Sequence, residues 1–203
     1  MPRPDRKGGV PILILIIILI FFANTTSQCR VNMNATNPYF TRKFNPNGPT
    51  GYLITFRSYG TWLHGDERGS INRKGKNIAG TAMLPADPYL LKLEQSRLKI
   101  DPVTFSFAQR EILTTTINEV CNFKKWELHA VNARTQHVHT VVTASDPADF
   151  VMNSFKSWCT RRMREKQLWK SKYSPWSRHG STRYLWSDKE LQRACAYVIH
   201  GQS

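Results

Sequence analysis

β-branched and aromatic residues gather in four short runs of this chain, and between them apolar positions recur at helical spacing. Gly51-Tyr52-Leu53-Ile54-Thr55-Phe56-Arg57 predicts a first strand. Gly60 to Asp101 then forms a long connection dotted with Gly, Pro and charged residues, with room for a short helix around Tyr89 to Leu98. Phe105 to Phe123 fits a helix whose apolar stripe is Ile112, Leu113, Ile117, Val120 and Cys121. Trp126 to Ala133 and His137 to Thr143 read as two strands of an antiparallel hairpin, separated only by Arg134, Thr135 and Gln136. Ser145-Asp146-Pro147 offers an N-cap for the next helix, which buries Val151, Met152, Phe155, Trp158, Cys159 and Met163. Trp169 to His179 is a basic, aromatic stretch. Gly180 to Trp186 predicts a fourth, short strand, and Asp188 to Ile199 a last helix capped by Ser187. Strand, helix, hairpin, helix, strand, helix describes an α+β fold: an antiparallel sheet with helices packed mainly on one face.

The pattern divides the chain into three parts. Residues 1–32 hold a nearly continuous apolar run from Val10 to Ala23, preceded by Arg3, Arg6 and Lys7. This resembles a secretory signal or an anchor, although the run is shorter than the ~20 residues of a comfortable membrane span. A translation start at Met33 is the alternative, and the expectation favoured here. Residues 33–50, rich in Asn and Pro, read as a linker, and 51–203 as the folded unit.

Charge narrows the class of partner. The 203 residues carry 29 Lys and Arg against 14 acids, a net charge of +15, which predicts attraction to a polyanion, nucleic acid being the commonest. The four cysteines, Cys29, Cys121, Cys159 and Cys195, form no C-x-x-C pair, which argues against a structural zinc site or a disulfide framework. Reduced thiols in a cytoplasmic protein are the plain reading, with a membrane location through residues 10–23 as the alternative. On the outer face of the helix that follows Ser145-Asp146-Pro147, Lys156, Arg161, Arg162, Arg164 and Lys166 outnumber the single Glu165 and are candidates for nucleic-acid backbone contacts.

The candidate chemistry starts from His137-Val138-His139. Alternate residues of a strand face one way, so the two imidazoles stand together, about 7 Å apart along the strand, and could grip one divalent cation. On the last helix Leu191, Ala194, Cys195 and Val198 make the stripe that packs on the sheet, and Tyr197 lies at its border, where a phenol can reach a neighbouring surface. His64 and Asp66 read as turn residues, and Glu127 and His129 as strand neighbours on one face.

These residues resemble a family. The strand His137-Val138-His139-Thr140-Val141-Val142 is similar to the His-hydrophobic-His strand that gives HUH enzymes their name, and Ala196-Tyr197-Val198 to their nucleophile helix. With Tyr52-Leu53-Ile54-Thr55-Phe56-Arg57 and Tyr59-Gly60-Thr61-Trp62-Leu63, the region from Gly51 to Gln202 resembles the single-tyrosine HUH transposases, in particular the REP-associated tyrosine transposases. The resemblance implies a ferredoxin-like fold and metal-dependent cleavage of single-stranded or hairpin DNA. Tyr197 would be the nucleophile, with a 5′-phosphotyrosine intermediate. His137 and His139 would ligate Mg²⁺ or Mn²⁺. Relatives supply a third ligand about one turn after the tyrosine; here that position is Gly201, so Gln202 is the expected ligand and His200 the alternative. A left-handed turn at Gly201 would redirect Gln202 toward the site. A replication-initiator or relaxase-like nickase would use the same parts, but no helicase motif accompanies them. A non-catalytic DNA-binding descendant is the alternative of a different class, and a homodimer is an open one.

Overall fold

The structure, a computed structural model, describes residues 30–31, 48–70 and 83–201. The apolar run 10–23, Met33, most of the linker and Gln202 lie outside the described residues. Five strands form one sheet: β1 (Arg30–Val31), β2 (Gly51–Ser58), β3 (Glu127–Ala133), β4 (His137–Thr143) and β5 (Trp176–Leu185). Their order is β1-β3-β4-β2-β5, and every neighbouring pair is antiparallel. Four helices accompany them among the described residues: α1 (Pro88–Ser96), α2 (Phe107–Lys124), α3 (Ala148–Glu165) and α4 (Asp188–His200). The succession β2-α2-β3-β4-α3-β5 with β2 and β4 in the middle is the ferredoxin-like arrangement.

Strand alternation divides the core into two layers. Ile54 and Phe56 of β2 with Val138 and Val142 of β4 face α2 and α3, where they meet Leu113, Ile117, Val120, Val151 and Phe155. Phe56 and Phe155 are wholly buried, each worth roughly 1.5–3 kcal/mol of transfer free energy. The other face is covered by α4: Ala130, Val141 and Leu185 pack on Ala194 and Val198. Two long helices thus share one face and the terminal helix takes the other.

Local chemistry explains most boundaries. Ser106 and Gln109 form a reciprocal capping box that starts α2, and Ser187 caps α4 through Glu190 N. The expected cap of α3 by Ser145 or Asp146 is corrected. Pro147 occupies the N-cap and makes no side-chain bond, while Asp146 accepts the Trp126 indole N–H at 2.9 Å. The last strand begins at Trp176, earlier than its sequence suggests, because its pairing with β2 is irregular. Phe56 pairs with Gly180 and Ser58 with Trp176, so Ser177, Arg178 and His179 lie opposite the single Arg57. Gly180 is required there, since a Cβ would collide with Met152 Sδ and the Thr55 carbonyl.

Candidate active site

Cross-strand register builds one face of the site. His139 pairs with Thr55 on one side and Asn132 on the other, and His137 pairs with Arg57. These side chains point away from α2 and α3, toward α4. The two imidazoles lean together until their centroids are 4.6 Å apart at an interplanar angle of 83°. An imidazole nitrogen bound at about 2.1 Å places its ring centroid about 3.2 Å from an ion, so two adjacent ligands stand about 4.5–5 Å apart. The observed pair fits that spacing. His139 is 6% exposed, and its Nδ1 hydrogen-bonds with Thr55 Oγ1 at 2.7 Å. With Nδ1 so engaged, Nε2 is the nitrogen that could meet a cation.

The last helix brings the phenol to this face. Tyr197 is 47% exposed, and its ring centroid lies 5.9 Å from that of His139. Val198 is fully buried one residue later, and Asn132 Nδ2 donates to its carbonyl at 2.9 Å. That bond ties the last turns of α4 to the sheet. Thr55 and Asn132 were invisible as site residues in the sequence, where a Thr and an Asn within strands carry no signal of what they face.

Gly201 corrects one expectation. Its φ is −82°, so the helix ends without the left-handed turn that was to redirect Gln202. The glycine is nonetheless needed, because a Cβ would stand 2.9 Å from Tyr197 Cδ2. His200, the alternative third ligand, is exposed on the last turn of α4. Among the described residues no group of three or more His, Cys, Asp and Glu is placed to hold a metal ion.

On the strand beside His137, Arg57 lies over Trp62, its Cζ 3.5 Å from the ring centroid. Trp62 is fixed by its indole N–H, which donates to Gly69 O at 2.6 Å. Arg68 reaches the same ring from 5.1 Å while donating to both oxygens of Asp66 and to Thr61 O. Hydrogen bonds from Arg68 hold the Asp66 carboxyl down at about 2. Burial, then repulsion by Arg68, lowers Arg57 to about 10, and the charges of Asp66 and Tyr197 oppose that fall. Arg57 therefore stays cationic at neutral pH. His64 bonds with Ser70 Oγ, and Glu127 and His129 pair at 3.8 Å, in keeping with local structural roles.

The basic residues of α3 fare differently. Lys156 is corrected: it is 7% exposed, and its Nζ donates to Ser177 O and His179 O, each at 3.0 Å. The irregular pairing at Arg57 deprives those carbonyls of ladder partners, and a buried ammonium supplies the protons instead. Arg162 pairs with Glu119 and Glu165, Arg164 donates to Ser171 O and Lys172 O, and Arg161 lies over Trp158. Arg161, Arg164 and Lys166 are exposed, on the helix layer across the sheet from the imidazoles.

No helix among the described residues is long and apolar enough to cross a membrane. Cys121, Cys159 and Cys195 are free thiols, and burial pushes Cys121 up to about 12.

Comparison with known proteins gives matches of two kinds, to solved structures and to a family model. A solved structure of a REP-associated tyrosine transposase bound to a REP hairpin is similar at 12% identity and a TM-score of 0.44, over 74% of this chain and 65% of that one. No curated protein matches. The family model described as "Transposase IS200 like" matches residues 103–198, a span that contains His137, His139 and Tyr197 and leaves out β2 with Thr55 and Arg57. Over residues 103–198, somewhat under half of its length, this chain is similar to the IS200-like transposases.

Proposed function

We propose that the folded unit over 51–203 nicks single-stranded DNA and transfers the strand through a 5′-phosphotyrosine intermediate, with hairpin-bearing DNA as its substrate. The observation that carries this reading is the meeting of three rings on one face of the sheet, with the Tyr197 centroid 5.9 Å from that of His139 and the two imidazoles 4.6 Å apart. His137 and His139 would hold Mg²⁺ or Mn²⁺, with Gln202 or His200 as a further ligand. A cation bound there supplies positive charge to the scissile phosphate.

The chain's own groups account for the rest. Thr55 keeps His139 in one orientation, and Asn132 holds the end of α4 against the sheet. Tyr197 Oη attacks phosphorus in line with the 3′-oxygen. The O–P bond to tyrosine forms, the P–O3′ bond breaks, and the phenol proton leaves as the departing oxygen gains one. One phosphodiester replaces another, so the 3′-hydroxyl of a second strand can reverse the exchange without ATP. Exposed Arg161, Arg164 and Lys166 would contact the substrate backbone away from the reacting bond. A cytoplasmic location suits this activity.

The test is incubation with hairpin-bearing single strands and Mn²⁺, followed by denaturing electrophoresis. A covalent adduct is expected, absent from Tyr197→Phe, whose DNA affinity stays within about twofold of wild type. A salt-sensitive mobility shift with no adduct would leave a DNA-binding protein; an adduct persisting in Tyr197→Phe would move the nucleophile elsewhere.

A further inference from the structure

We infer that Arg57, braced by Trp62, is a phosphodiester-binding residue of this site, holding the DNA backbone beside His137. The inference rests on the proposed DNA substrate and adds a residue outside the span that defines the family match.

Four observations converge on it. Arg57 is the register partner of His137, so both side chains leave the same face of adjacent strands. It stands where the β2–β5 register shifts, opposite Ser177, Arg178 and His179, so the regular ladder is interrupted at its position. That break is fixed in shape, because the buried Lys156 ammonium grips the carbonyls of Ser177 and His179. Last, the guanidinium lies over Trp62, its Cζ 3.5 Å from the ring centroid, with no hydrogen-bond acceptor among the described residues, while Arg68 already engages both oxygens of Asp66.

The electrostatic balance points to an anion. Two guanidiniums lie over Trp62, and the carboxylate bonded there, Asp66, is taken up by Arg68, with Glu67 also acting on Arg68, so Arg57 keeps its own charge without a bonded counterion. A purely structural arginine would be expected to direct its donors at protein carbonyls or a carboxylate, as Arg68 does. A guanidinium held over a ring face still directs its N–H donors outward in its own plane, above the ring, a fork matched to two phosphate oxygens. Stacking also removes most of the side chain's freedom before DNA arrives, which lowers the cost of binding.

The experiment pairs a binding assay with a reaction assay on the full chain. The probe is a pool of single-stranded oligonucleotides, each with one palindromic hairpin and randomised flanks. Fluorescence anisotropy across a salt series reads affinity, and adduct yield with Mn²⁺ reads chemistry. Arg57→Ala is expected to weaken binding about tenfold and to lower the salt slope by about 0.7, the loss of one single-strand phosphate contact. Arg57→Lys, which keeps the charge and the fold, is expected to retain the slope and to lose adduct rate at saturating DNA. Wild-type slope and affinity in Arg57→Ala, together with a wild-type adduct rate in Arg57→Lys, would overturn the inference while leaving the nuclease reading intact. Conversely, no adduct from the wild-type protein with a reduced slope in Arg57→Ala would sink the nuclease reading and support the phosphate contact. Thermal melting of both variants separates either result from unfolding.

Discussion

Thr55 and His139 face each other across two central strands and share a hydrogen bond of 2.7 Å between Oγ1 and Nδ1. The threonine settles which imidazole nitrogen is left to meet an ion. Partners of this kind typically change metal affinity 10–100-fold. Thr55→Val is expected to weaken Mn²⁺ binding by about that factor in titration calorimetry, and Thr55→Ser to restore it. Unchanged affinity in the valine variant would show that the hydroxyl does not orient the ring.

Asn132 joins the sheet to the final helix through the Val198 carbonyl. Asn132→Leu removes this link between sheet and helix, a cost of roughly 0.5–1.5 kcal/mol, the net worth of one hydrogen bond. Urea unfolding should register the loss, and amide exchange should quicken in α4 more than in β4. Uniform quickening across both would mean the contact is not specific to the helix.

Lys156 is buried against the carbonyls of Ser177 and His179, a placement that predicts a part in the fold. Lys156→Met abandons two carbonyls in the interior, and a destabilisation of roughly 2–3 kcal/mol is expected. The salt slope of DNA binding should stay as in wild type at temperatures where the variant is folded. A slope reduced by a full contact would return Lys156 to the DNA surface.

Asp66 gives a pH signature. Its folded value of about 2 lies below the ordinary 3.8 because Arg68 donates to it. The unfolded chain therefore takes up this proton first as pH falls. The contribution is complete above the ordinary carboxylate range and is lost as pH drops through about 2, so stability rises with pH across that window. A carboxyl NMR titration of Asp66 should show a midpoint near 2; a midpoint near 4 would mean the pair does not persist in solution.

Much of this was legible in the sequence, and the reasons are physical. Strand alternation placed His137 and His139 on one face, and the bounds of β4 match the β-branched run. Helical periodicity put Tyr197 at the edge of a stripe centred on Ala194 and Val198, both buried. What escaped were contacts between distant segments. Thr55 is 84 positions from His139, and in a strand a threonine looks like ordinary β propensity. A lysine on a helix defaults to solvent, and the carbonyls that hold Lys156 inside belong to an irregular pairing that no periodicity encodes. The same irregularity hid the first residues of β5.

Strand β4 is clasped on both flanks, and its odd-numbered positions carry the imidazoles. Slippage by a single step against either flank would plunge both rings into the greasy layer beneath and turn Val138 outward. A misthreaded molecule could not take up an ion, so ion uptake would double as an assay for correct threading.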